Sequence, residues 1–194
     1  AGECQPVTTM DPFNVTEYTR AQWFVQQQMP VAYLQYPDDF YCTSAQYLLT
    51  SNTTVNVYNY NTVGEVNGPT KGGCLCAVIK DPSVPSKLSV GPCVLPTFTY
   101  GPYWVLAAGP SENNYEWALI SGGQPTIDTG NGCTTGSGTN GSGLWIFSRT
   151  QVAPQEQVDM VIGIAKSMGF DTSVLYPVQQ EGCLYSGFEG PSSC

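Results

Sequence analysis

Histidine is absent from this chain of 194 residues. That removes the commonest general base, the Ser/His/Asp and Cys/His nucleophile arrangements, and every histidine-containing metal site. Charge is scarce as well. Only 11% of residues are charged, well below the usual quarter, and six basic residues face fifteen acidic ones for a net charge of −9. The basic residues Arg20, Lys71, Lys80, Lys87, Arg149 and Lys166 are nowhere adjacent, so no patch can neutralise phosphates. Nucleic acid is therefore not expected as a partner, and an anionic membrane surface is disfavoured for the same reason. No run approaches the roughly 18 consecutive apolar residues of a membrane helix, so the chain is not expected to span a bilayer.

What is present is apolar and rich in turn residues. Hydrophobic residues make up 41%, aromatic ones 12%, and there are 21 glycines and 15 prolines, the profile of a β protein with a sizeable core and many turns. One domain is expected over residues 1–194, with an N-terminal arm at 1–16, a body at 17–183 and a loose tail at 184–194. Cys4, Cys42, Cys74, Cys76, Cys93, Cys133, Cys183 and Cys194 form an even set spread from end to end, which suits four disulfides and an oxidising compartment, extracellular or an organelle lumen. Acceptor patterns for glycosylation at Asn14, Asn52 and Asn140 agree with secretion, as does a start at AGECQ without methionine or apolar leader.

The stretch YWVLAAGPSENNYEWALISG, from Tyr103 to Gly122, reads as two strands joined by a polar loop, and such a hairpin needs a larger sheet around it. The other strands are legible on both sides. In EYTRAQWFVQQQMP, Trp23, Val25 and Gln27 share one parity; in TTVNVYNYN, Val55, Val57 and Asn59 do. YCTSAQYLLTSN, GGCLCAVIK, SKLSVGPCVL and GLWIFSRT supply the rest, and SVLYPVQQ a last short strand. Residues Gly130 to Gly143 read as a flexible glycine-rich loop. It is no phosphate cradle, since it lacks Gly-Lys-Ser/Thr and precedes a strand where a helix is required. One helix is expected, Pro154 to Met168, with Pro154 at its first position, a stripe of Val158, Val161, Ile162, Ala165 and Met168, and Gly169 as its left-handed stop. Eight strands without βαβ alternation, then a helix and a short ninth strand, specify an all-β barrel or sandwich.

At three places this pattern resembles the lipocalin family, and within it the apolipoprotein D-like and bacterial lipocalins. Tyr18-Thr-Arg-Ala21-Gln-Trp23-Phe24 stands for the first family region, with Ala21 in place of its glycine. The hairpin, Tyr103-Trp-Val-Leu-Ala through Tyr115-Glu-Trp-Ala-Leu, is the second, and Leu144-Trp-Ile-Phe-Ser-Arg149 the third. The resemblance covers Asp11 to Cys183. It implies an eight-stranded antiparallel up-and-down β-barrel with the helix packed outside, and Arg149 stacked on Trp23 at the closed end. It also implies disulfides Cys42–Cys183 and Cys4–Cys133. For Cys74, Cys76, Cys93 and Cys194 three pairings stay open. Cys74 and Cys76 face the same way on a strand, Cys93 can reach either, and the leftover meets Cys194. A four-cysteine zinc site is the alternative for these residues.

By the family's parity Ala45, Tyr47, Val57, Asn59, Tyr103, Val105, Trp145 and Phe147 point inward, with Tyr47, Asn59 and Tyr103 positioned to fix polar groups at the mouth. The implied function is carriage of a small hydrophobic guest such as a lipid, carotenoid, retinoid or tetrapyrrole. No basic residue falls on this wall, so an anionic iron complex is not an expected guest. Two alternatives accompany it. One is an accessory subunit of a larger assembly, meeting its partners through Trp104 and Trp117. The other is a lipocalin-type enzyme using a thiol, Asp38 with Asp39, or Glu112 with Glu116. No catalytic residue, metal or required cofactor is assigned.

Overall fold

A computed structural model describes residues 2–194. After an extended arm and a short helix α1 (Val15–Tyr18), the chain lays down β1 (Trp23–Gln28), β2 (Tyr41–Leu49), β3 (Thr54–Thr62), β4 (Thr70–Val78) and β5 (Lys87–Gly91). The hairpin follows as β6 (Gly101–Ser111) and β7 (Asn114–Ser121), then a ribbon β8 (Ile127–Asp128) and β9 (Cys133–Thr134), then β10 (Leu144–Ser148), helix α2 (Gln155–Ser167) and β11 (Tyr176–Pro177). Each strand from β1 to β6 pairs antiparallel with its successor, β7 pairs with β10, and β10 closes on β1. The result is the eight-stranded barrel, with β11 added beside β1 as the ninth strand. Closure leaves the eight barrel strands without a free edge, while the short β11 and the β8–β9 ribbon keep theirs.

Period-two alternation divides the apolar side chains between two cores. Trp23, Val25, Ala45, Val57, Val105, Ala118, Ile120 and Phe147 face the barrel interior. Leu106, Leu119, Leu144 and Ile146, their out-of-phase neighbours, face α2, which covers them with Val161 and Ala165. Pro154 has extended backbone (ψ 138°) and caps α2 instead of entering it, while Gly169 takes the left-handed stop with φ +93°.

Arg149 closes the lower end. Its guanidinium lies 3.6 Å from the centroid of the Trp23 ring. It also donates to the carbonyls of Tyr115 (3.0 Å), Glu17 (2.7 Å), Tyr18 (3.2 Å) and Ala21. The Trp23 indole N–H donates to Tyr18 O at 2.9 Å. One planar fork thus joins α1 and β7 to the β10–β1 seam, a task that suits guanidinium geometry and not an ammonium. Ala21 does not take a positive φ, so the missing glycine costs the backbone nothing there.

Three expectations change. Gln27 does not continue the inward face of Trp23 and Val25, because Val25 pairs with Phe147 and Gln27 with Ile146, leaving Gln26 as a bulge. The extra residue reverses parity, so Gln28 points inward. The tail is not loose: Cys74–Cys194 ties its end to β4, Phe188 packs on Tyr58 and Tyr60, and the Tyr60 hydroxyl donates to Ser186 O at 2.7 Å. The glycine-rich loop is anchored, since β9 lies within it, Cys133 is bonded to Cys4, and buried Thr135 accepts from Gly143 N–H at 2.8 Å. Cys42–Cys183 and Cys76–Cys93 complete four disulfides, so no cysteine is available for zinc.

Two stability predictions follow from these contacts. Arg149→Met removes a donor from each of four carbonyls, of which Tyr18 O and Glu17 O keep another, and should cost about 3 kcal/mol in urea unfolding; a cost under about 1 kcal/mol would show that the stack does not hold the floor. Replacing Cys74 and Cys194 by serine should cost about 2–4 kcal/mol and open the tail to protease near Leu184 and Phe188, with the barrel left intact. Equal protease resistance in the two proteins would refute the clamp.

Candidate functional site

The barrel encloses a cavity of ≈ 600 Å³, open at the end opposite Arg149. Ala45, Tyr47, Val57, Asn59, Tyr103, Trp145 and Phe147 all line it. Val105 does not. It points inward but lies in the packed core, with no exposed surface.

The floor is a trio of tyrosines. The Tyr103 hydroxyl is hydrogen-bonded to that of Tyr47 at 2.7 Å and to that of Tyr18. Tyr18 comes from α1, and its ring sits 5.5 Å from Trp23 and 5.3 Å from Tyr47. Tyr47 and Tyr103 therefore lie at the closed end and not at the mouth, because α1 folds under the barrel and supplies their partner from below. Only Asn59 stands higher on the wall, its register partners being Ala45 and Gly73. Burial pushes the ionisation of all three phenols upward, Tyr47 to about 12 and Tyr18 and Tyr103 well above the usual value, so they stay neutral hydroxyls at physiological pH.

The mouth carries groups that the strand pattern does not reveal. Lys71 is on the lining, so the wall is not free of basic residues as expected. Its ammonium is 3.1 Å from the buried carboxylate of Asp39 and donates to Tyr33 O at 3.0 Å. Asp39 also accepts from Gln35 N–H at 2.8 Å. A cation so paired is a poor receptor for an anion. Tyr33 and Leu34, from the β1–β2 loop, and Thr139 to Ser142, from the glycine-rich loop, complete the rim. Gln28 lines the cavity too, brought there by the bulge. Sequence reasoning missed Gln28 because a bulge leaves no periodic signal, and Lys71 because the strand was read from Gly72, although Lys71 shares the inward phase of Gly73 and Leu75 on β4.

The remaining candidate residues fall elsewhere. Asp38 is exposed while Asp39 is committed to Lys71; Glu112 and Glu116 are both exposed on the hairpin, where Glu116 accepts from Asn114. No three or more Cys, Asp or Glu side chains converge as a metal site among the described residues. Trp104 and Trp117 are half-buried beside α2, and Lys87 covers Trp104 at 4.5 Å. Asn52 is exposed at the β2–β3 turn, whereas the Asn14 side chain caps α1 and donates to Glu112 O at 3.1 Å, and Asn140 donates to Thr99 O at 3.3 Å at the rim. Of the three acceptor patterns, Asn52 alone presents an unengaged amide.

The tyrosine floor sets a pH dependence. With Tyr47 raised from 10.0 to about 12, the unfolded chain ionises first, so stability is fully present below pH 10 and is lost as pH rises through about 12. Urea midpoints measured across that window should fall in the wild-type protein and fall less in Tyr47→Phe. Identical slopes would mean that the trio is not buried.

No curated protein sequence matches the chain. Solved structures do. Lobster apocrustacyanin A1 is 15% identical, with 89% of this chain and 83% of that one covered at a TM-score of 0.61. The cockroach allergen Per a 4 is 12% identical over 92% and 95% of the two chains, at 0.59. H1 crustacyanin from the lobster Homarus americanus is 13% identical over 95% and 94%, at 0.58. Such identities show a shared fold. The family model described as a lipocalin-like domain matches residues 14–180, which is most of the chain, and the protein belongs to the lipocalin family.

Proposed function

We propose that this protein binds and carries a small hydrophobic guest in the barrel cavity. The observation that carries the reading is the cavity itself: ≈ 600 Å³, closed by tyrosines below, open above, with a lining surface that is mainly apolar. That volume lies within the roughly 300–1,000 Å³ typical of small-molecule sites. Apolar guest surface withdrawn from water contributes about 25 cal/mol per Å² before binding costs are subtracted, which favours a lipid, retinoid, carotenoid or tetrapyrrole over a polar metabolite. The neutral floor and the paired Lys71 disfavour anionic iron complexes. With every cysteine in a disulfide, a thiol-based enzyme has no nucleophile here. Four disulfides support folding in an oxidising compartment, outside the cell or in an organelle lumen.

A second reading, an accessory subunit of a larger assembly, is supported by the β5–β6 loop beside the mouth. Val94 is 93% and Phe98 81% exposed, with Leu95 between them also exposed. Such a cluster is what a partner would cover. Trp104 and Trp117, shielded by α2 and Lys87, are not its anchors.

Native mass spectrometry of protein from its own source, with an absorbance spectrum of the same sample, should show a discrete excess mass that vanishes on denaturation. A visible band would mark a pigment. A mass explained wholly by chain, disulfides and glycans, together with elution as a larger complex, would favour the subunit reading instead.

A further inference from the structure

Gln28 is the one buried side chain among the described residues whose polar atoms have no partner: both Nε2 and Oε1 are unpaired, and the residue has no exposed surface. Its neighbours show that the barrel otherwise satisfies such groups. Gln26 donates to the carbonyls of Phe24, Thr150 and Gln151 and accepts from Ala153 N–H. Gln180 donates to Val25 O and Thr43 O and accepts from the Tyr185 hydroxyl. An orphaned amide destabilises a fold, and an apolar residue of the same shape would serve the barrel better. Gln28 nevertheless stands on the cavity lining with its amide covered, and a specific device puts it there, the bulge at Gln26 that brings this residue inward beside its cross-strand partner Trp145.

We infer that Gln28 is the polar anchor of the cavity and takes a neutral guest group with a donor and an acceptor side by side, such as a carboxamide, a lactam or a protonated carboxyl. The inference rests on the carrier reading and deepens it. Both amide atoms are unpaired, so a group offering only acceptors satisfies half of the site. A carboxylate would set negative charge against Oε1, and the only cation on the lining among the described residues, Lys71, is held by Asp39. The guest is thus an apolar body with an uncharged amide-like or acid end at the level of Gln28 and Trp145, above the tyrosine floor.

Quenching of tryptophan fluorescence by oleamide and by methyl oleate tests this in the full chain, freed of guest by solvent extraction. The two probes share a hydrocarbon body, but the ester cannot donate. The wild-type protein should bind oleamide about tenfold more tightly. Gln28→Leu should bind methyl oleate at least as well as the wild type does, reduce the preference to under about twofold, and melt at the same or a higher temperature in the absence of probe. Gln28→Met replaces it if leucine does not fold. Equal binding of both probes by the wild type, a preference retained in the variant, or a melting temperature lowered by more than about 5 °C would each overturn the anchor while leaving the carrier reading in place. Binding of neither probe to the wild type would remove both.

Discussion

The contact on which the rest depends is the guanidinium of Arg149 against the indole of Trp23. Trp23 opens the first strand and Arg149 follows the last strand of the barrel, so the pair sits where β10 meets β1 and the sheet closes. Burial draws the ionisation of Arg149 down, with nearby Arg20 adding to the effect, to about 10, which still leaves it charged at neutral pH. Its charge is spread over carbonyls of α1, the segment before β1, and β7, with the Glu17 carboxylate 3.9 Å away. Removing one partner of such a buried arrangement leaves the others desolvated and unpaired, which is why a single side chain can hold an entire floor.

That floor makes the cavity possible. Tyr18 rests on Trp23 and presents its hydroxyl upward to Tyr103, which in turn meets Tyr47. A barrel of eight strands is just wide enough to be filled by its own side chains or to hold one guest. Here tyrosines fill the floor, and the small or slender Ala45, Asn59 and Gly73 stand next to one another on the wall above Tyr47, so space is left toward the mouth. The disulfides act on the outside: Cys42–Cys183 and Cys74–Cys194 strap the C-terminal segment to β2 and β4, and Cys76–Cys93 ties the β5–β6 loop to β4. With the exterior so constrained, the rim loops can carry exposed residues, among them Phe98, without loosening the barrel.

Two polar features inside that apolar cup have opposite meanings. The Lys71–Asp39 pair at the mouth is satisfied within the chain and fixes the β1–β2 loop over the entrance. Gln28, deeper in, is not satisfied by the chain at all. A buried polar group with every partner in place reads as architecture, whereas one without partners reads as a demand on something else.

Much of this was determined by the sequence alone. Local periodicity and turn residues set the eight strands, the outer helix and its glycine stop, because alternation is a property of neighbours in the chain. The Arg149–Trp23 stack, the disulfides Cys42–Cys183 and Cys4–Cys133 and the inward set from Ala45 to Phe147 were implied by the family resemblance and not by spacing. What only the tertiary structure decided depends on residues far apart in sequence. The bulge at Gln26 exists because β1 must match β10, and it exchanged Gln27 for Gln28 on the inner face. The helix under the barrel turned Tyr47 and Tyr103 from mouth residues into the floor, since Tyr18 reaches Tyr103 across 85 positions of chain. The tail looked loose because its composition is that of a loop; its order comes from Cys74 and the rings of Tyr58 and Tyr60, on strands more than a hundred residues away. Periodicity records which face a residue prefers, and closure of the barrel decides what it finds there.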